Sequence, residues 1–155
     1  MSRTFSRLAG GMACAMAFMT AQAAPPADGQ SGYIKQVHGS AWLVDAQGSS
    51  RPLRVGDPVF NSDSIVTEAD AGAGLLLRDG TAIVVGPSSQ LDVKSFHFDA
   101  YTRDGGLFVA LLRGSLRMIT GLIGKTNPEA VRVDTQTATI GIRGTDFIVQ
   151  ADARH

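Results

Sequence analysis

The sequence predicts an all-β domain, a solenoid-like or sandwich-like stack of short strands with little helix outside an N-terminal leader. Three observations carry this expectation. Turn clusters recur at intervals of roughly 8–12 residues between β-branched runs. No segment sustains the 3.6-residue apolar period of a helix. The 18 glycines supply the corners that many short strands need. At 155 residues, 44% hydrophobic and 18% charged, the chain is one globular domain's worth and can bury a core without disulfides.

The first 23 residues follow a different pattern. Met1 to Arg7 is short and positive, Leu8 to Met19 is apolar and small, and Ala21-Gln22-Ala23 has the Ala-x-Ala form. This is the layout of a secretory signal peptide cleaved before Ala24. Its apolar run falls short of the roughly 20 residues a spanning helix needs, so no stable membrane span is expected after cleavage. Cys14, the only cysteine, lies inside the run without a leucine-led lipobox, and its removal would leave no thiol for disulfide or metal chemistry. Arg3 and Arg7 leave with the leader. The remaining chain carries 12 basic residues against 14 acidic ones, a net charge of −2. That balance argues against nucleic acid or anionic membrane, which select clustered Lys and Arg.

Residues 24–31 read as a flexible lead-in, and residues 32–150 as the β domain. Tyr33–Val37 and Ser40–Val44 are strands split by His38-Gly39. Pro52–Val55, Ser64–Thr67 and Ala73–Leu77 follow, separated by Gly/Asp corners. Asp79-Gly80 between Leu75–Leu77 and Ala82–Val85 predicts a type I′ hairpin, which needs positive φ at both centres. Gly86-Pro87 ends that strand, because proline cannot donate to a central ladder. Leu91–Val93 and Phe96–Phe98 alternate as half-buried strands do. Leu107–Gly114 fits either a two-turn helix or a buried strand, and its β-branched and aromatic content favours strand. Thr126–Glu129 reads as a turn, and Val131–Thr135 alternates with its valines on one face.

Thr139–Val149 predicts a tight corner between two short strands, with Gly141 and Gly144 setting the backbone. Residues 151–155 read as a disordered tail. A faint repeat links Gly39-Ser40 with Gly114-Ser115, and Gly80-Thr81 with Gly144-Thr145.

Four pieces taken together resemble the FecR domain family. These are Gly56-Asp57-Pro58-Val59 with Asp63–Thr67, Leu75–Thr81 (containing Asp79 and Gly80) with Val85–Ser89, Leu112–Leu116 around Gly114, and Ala138–Phe147. The last contains Gly141, Arg143, Gly144, Thr145, Asp146 and Phe147. The resemblance spans roughly Gly32 to Val149. It implies a β-rich, solenoid-like domain of the bacterial periplasm. In the best-known members this domain is the outer half of a transmembrane anti-sigma regulator that receives a signal from an iron-transport receptor. No cytoplasmic helical domain, spanning helix or C-terminal signalling domain is recognisable here, so the expectation is a stand-alone exported module.

Most candidate sites read as structural. Asp79-Gly80 and Gly141/Gly144 read as turn geometry rather than a ligand rim. Arg143 is expected to pair with Asp146 or another carboxylate rather than with a ligand. His38, His97 and His155 lack metal-ligand spacing, and Asp57, Asp63 and Asp70 lack the ladder of a calcium loop. Ser88-Ser89 lacks a nucleophile frame. Trp42 and Tyr33 could stack on a sugar, but an early-strand tryptophan reads first as core. The expectation is a non-enzymatic, cofactor-free periplasmic interaction or signal-sensing module whose partner is another envelope protein. The alternative is a binding protein for a polysaccharide or small envelope ligand.

Overall fold

The computed structural model describes residues 29–152. The signal-peptide reading of residues 1–23, with its cleavage site at Ala21, Ala23 and Ala24, lies outside the described residues, as do Cys14 and His155. The strands in chain order are β1 (Gln30–His38), β2 (Ala41–Val44), β3 (Ser50–Pro52), β4 (Pro58–Phe60), β5 (Ser64–Thr67) and β6 (Gly72–Leu77). They continue as β7 (Ala82–Val85), β8 (Gln90–Phe98), β9 (Gly105–Ile119), β10 (Val131–Thr135), β11 (Thr139–Gly141) and β12 (Asp146–Ala151). One short helix, α1 (Leu122–Thr126), and a 3-10 turn (Pro128–Ala130) lie between β9 and β10.

The strands form two ladders that share β9. The first runs β3-β2-β5-β8, then the first half of β9, then β10 and β11. The second runs β4-β1-β6-β7, then the second half of β9, then β12. Every pairing is antiparallel except β9 with β10. Alternate residues of both ladders point inward: Leu43, Ile65, Leu91 and Val133 from the first, Leu75, Ile83, Met118 and Val149 from the second. They join one contiguous core, so the ladders curl over it as a half-barrel. Each fully buried Leu or Ile contributes about 1.5–3 kcal/mol, and this burial rather than any staple holds the curl. A solenoid would stack parallel rungs, so of the two arrangements the sequence left open the fold lies nearer the sandwich.

The bend in β9 is set by Gly114, whose φ is +86°. Ser89 sits under it, fully buried. Its hydroxyl accepts the Ser115 N–H (2.9 Å) and donates to the Pro87 carbonyl (2.9 Å). Thr67 closes the cluster by donating to Gly86 O (2.6 Å) and accepting the Ser89 N–H (3.0 Å). Ser89 is therefore tied into the bend by its own backbone contacts.

Leu107–Gly114 is strand, as its composition favoured, and part of a 15-residue one. Other expectations need correction. Thr126–Glu129 is not a simple turn but straddles the end of α1 and the 3-10 turn. β1 begins at Gln30, inside the stretch read as lead-in, and β12 reaches Ala151, the first residue assigned to the tail. The Asp79-Gly80 hairpin is not type I′. Gly80 alone has positive φ (+85°), in a three-residue loop closed by Gly80 N–H to Leu77 O (3.0 Å) and Leu77 N–H to Thr81 O (2.9 Å). Thr139–Val149 is not a hairpin corner. β11 pairs with β10 and β12 with β9, so the segment crosses from one ladder to the other. The four glycines of the faint repeat, Gly39, Gly80, Gly114 and Gly144, all have positive φ, so what repeats is a backbone corner.

Candidate functional site

The residues singled out in the sequence separate into those occupied by the scaffold and those left open. Asp79 is the most occupied. Only 2% exposed, it accepts the Thr81 N–H (2.9 Å) on Oδ1, and the Thr81 hydroxyl (2.7 Å) and Ile123 N–H (3.3 Å) on Oδ2. Its carbonyl accepts the Leu122 N–H (2.9 Å), and Thr81 Oγ1 accepts the Gly121 N–H (3.0 Å). The β6–β7 loop thus caps α1 from outside, which α1 requires because Gly121 supplies no side-chain cap.

Asp57 does similar work in its own turn, accepting the Arg54 N–H (2.8 Å) and the Arg51 guanidinium (2.7 Å) beside Gly56 at φ +89°. Asp63, buried, accepts the Phe60 N–H (2.8 Å). Burial pushes its carboxyl above the ordinary value, with the Phe60 N–H bond and Arg51 opposing and Asp45 adding. A raised folded-state value means protonated Asp63 favours the fold. That contribution is complete below about pH 4, the usual unfolded value, and is lost as pH rises through the folded one. Asp63→Asn should therefore gain stability relative to the parent chain between about pH 4 and pH 7. Urea unfolding at the two pH values checks this, and a difference independent of pH would contradict it.

The closing motif is not arranged as expected. Asp146 does not pair with Arg143. It takes a two-pronged bond from Arg117 on the neighbouring strand (2.9 and 2.6 Å), and that bond holds its carboxyl below the usual range. Thr145 contributes its carbonyl to the Thr120 N–H (2.8 Å), and Phe147 packs against the core. Gly144 has φ +113° in open space, whereas Gly141 has no positive φ. Only one of the two glycines sets the backbone. Gly144→Val should cost more than about 1 kcal/mol through strain alone, and an unchanged melting temperature would refute that. Arg143 is exposed and makes no ion pair among the described residues.

Trp42 is not core. It is 38% exposed on the outer face of the first ladder, between Pro52 and Val66. His38 and His97 lie on different strands, and no group of three potential metal ligands assembles among the described residues. No helix there is long and apolar enough to cross a membrane.

The outer face of the second ladder carries exposed apolar side chains. Tyr33, Leu76, Ala82 and Ile119 stand side by side on β1, β6, β7 and β9. Val84 and Ile148 flank Arg117 in the next row. Of these, Tyr33, Val84, Ile119 and Ile148 are 42–67% exposed.

The sequence reading missed Thr81, Arg117, Arg132 and Asp134. Asp79-x-Thr81 was a visible signal, because both side chains bond nearby backbone. Nothing local marked Arg117 as the partner of Asp146, since only the β9–β12 register brings them together.

A family model described as FecR protein matches residues 63–155, more than half of the chain. The chain belongs to the FecR family. Membership points to a signal-sensing, envelope-associated module. Three of the four motif pieces lie within the matched residues, while the Gly56-Asp57 element precedes them. No curated protein matches this FecR chain. A solved structure described as a cell surface anchoring domain is similar at 28% identity and a TM-score of 0.39. That match covers 41% of this chain and 83% of the other.

Proposed function

We propose that this FecR-family chain is a non-enzymatic interaction or signal-sensing module of the bacterial envelope, working in the periplasm against another envelope protein. The observation that carries the reading is the apolar outer face of the second ladder. Tyr33, Val84, Ile119 and Ile148 lie exposed there on β1, β7, β9 and β12, whereas Asp57, Asp79 and Ser89 are spent on backbone bonds. Large apolar side chains exposed together on one sheet face, here around the Arg117–Asp146 pair, mark a protein-binding surface.

The test is a photo-crosslinking side chain placed at Val84 or Ile119 in the intact cell. Val55, 65% exposed but outside that face, serves as the control. One defined envelope protein should be captured at the first two positions and not at Val55. No adduct, or equal capture at all three, would overturn the reading. A second reading, a periplasmic binding protein for a polysaccharide or small envelope ligand, is favoured by the open groove beside Arg143.

A further inference from the structure

The unpaired Arg143 opens onto a groove of about 740 Å³ that also takes in Arg132, Gly141 and Glu129. A smaller hollow of about 210 Å³ adjoins it, sharing Arg132 and Thr139 and adding Phe108 and Asp134. Strand register explains the arrangement. Val131 and Val133 of β10 are buried, so Arg132 and Asp134 share its outer side. Arg132 is flanked by Phe108 on β9 and by Gly141 on β11. Glycine offers no side chain there, so the row stays open toward Arg143.

Three features of this groove are unspent. Arg51, Lys94 and Arg117 each hold a carboxylate, but neither Arg132 nor Arg143 has one within 4 Å among the described residues. Asp134 Oδ1 is enclosed and has no hydrogen-bond partner. An enclosed acceptor without a donor is costly, and because Asp134 lines the adjoining hollow, a rotation of its carboxylate would offer that oxygen to a ligand donor there. Phe108 is half-buried and contributes a ring to the wall.

The charges also constrain the ligand. Arg132 and Arg143 are balanced by Glu129 and Asp134, so the groove does not suit a polyanion. It suits a molecule carrying one carboxylate for an arginine fork, hydroxyl donors for Asp134, and an apolar ring face for Phe108. We infer that this groove binds an acidic saccharide, a sugar ring bearing a carboxylate. The site deepens the sensing reading above and rests on it.

The test is calorimetric titration of the full chain with trigalacturonate, with neutral maltotriose and inorganic phosphate as comparisons. Trigalacturonate should bind and the other two should not. Arg143→Gln and Asp134→Ala should each weaken binding by about tenfold or more, the loss expected for one charged hydrogen bond. Lys35→Gln, an exposed site on the other ladder, should leave it unchanged. The unliganded Asp134→Ala chain should melt no lower than the parent, because the oxygen it removes has no partner. A fall in melting temperature would assign Asp134 a structural role and overturn its place in the site. Equal binding of maltotriose, equal binding of phosphate alone, no binding at all, or an Arg143→Gln variant of full affinity would each overturn the proposal. Neither Asp134 nor Arg143 is a cross-strand partner of Val84 or Ile119, the two cross-linking positions. Lost saccharide binding with intact cross-linking would therefore refute the groove and leave the module reading standing.

Discussion

Asp79→Ala should destabilise the fold by about 3 kcal/mol or more, the largest loss expected from any polar substitution in the chain. Removing the side chain strips the partner from the Thr81 N–H, the Thr81 hydroxyl and the Ile123 N–H together. All three bonds are buried, so water does not replace the lost acceptor, and each stranded donor costs about 1–3 kcal/mol. The damage would spread to α1, which depends on this loop for its first-turn N–H groups. Asp79→Asn keeps one acceptor oxygen and should recover part of the loss. Urea unfolding monitored by circular dichroism measures both variants. An alanine variant with the parent's midpoint would show that the loop is not the anchor described here.

Gly114→Ala should cost about as much, for a different reason. The residue sits at φ +86°, and an added Cβ would lie 2.6 Å from both Cα and Cβ of Ser89, with the Ser89 hydroxyl closer still. Left-handed backbone alone costs an alanine about 1–2 kcal/mol. Moving Ser89 also forfeits its bonds to Ser115 and Pro87, which together with the strain brings the expected loss above about 3 kcal/mol. Gly144 supplies an internal comparison. It too has positive φ, but an added Cβ meets nothing within 4 Å, so Gly144→Ala should show the strain term only. If the two alanine variants melt together, close packing at the β9 bend is not what requires glycine there.

These two positions show how far the sequence reading reached. Gly114 and Asp79-Gly80 were both recognised as corners from residue type, because glycine and aspartate have strong local backbone preferences. Their partners were not recognisable. Ser89 lies 25 residues from Gly114, and Ile123 lies 44 from Asp79. The same limit explains the Arg143 error. Asp146 is three residues from Arg143 in the chain but bonds to Arg117 across a ladder, at a separation of 29. Trp42 was assigned to the core by residue type, and strand parity puts it outside. Its neighbours Ala41 and Leu43 take the inward positions.

Local chemistry was enough to establish an all-β domain and its corners, because turn residues and two-residue alternation act over a few positions. The motifs in their order also pointed to the FecR family. Folding was needed to choose a shared-strand half-barrel over a solenoid, since that choice rests on which distant strands pair and where β9 bends. Folding also left Arg132, Arg143 and Asp134 unspent in one groove. Alternation along β10 already puts Arg132 and Asp134 on one side, but only the pairing of β10 with β11 brings Arg143 beside them.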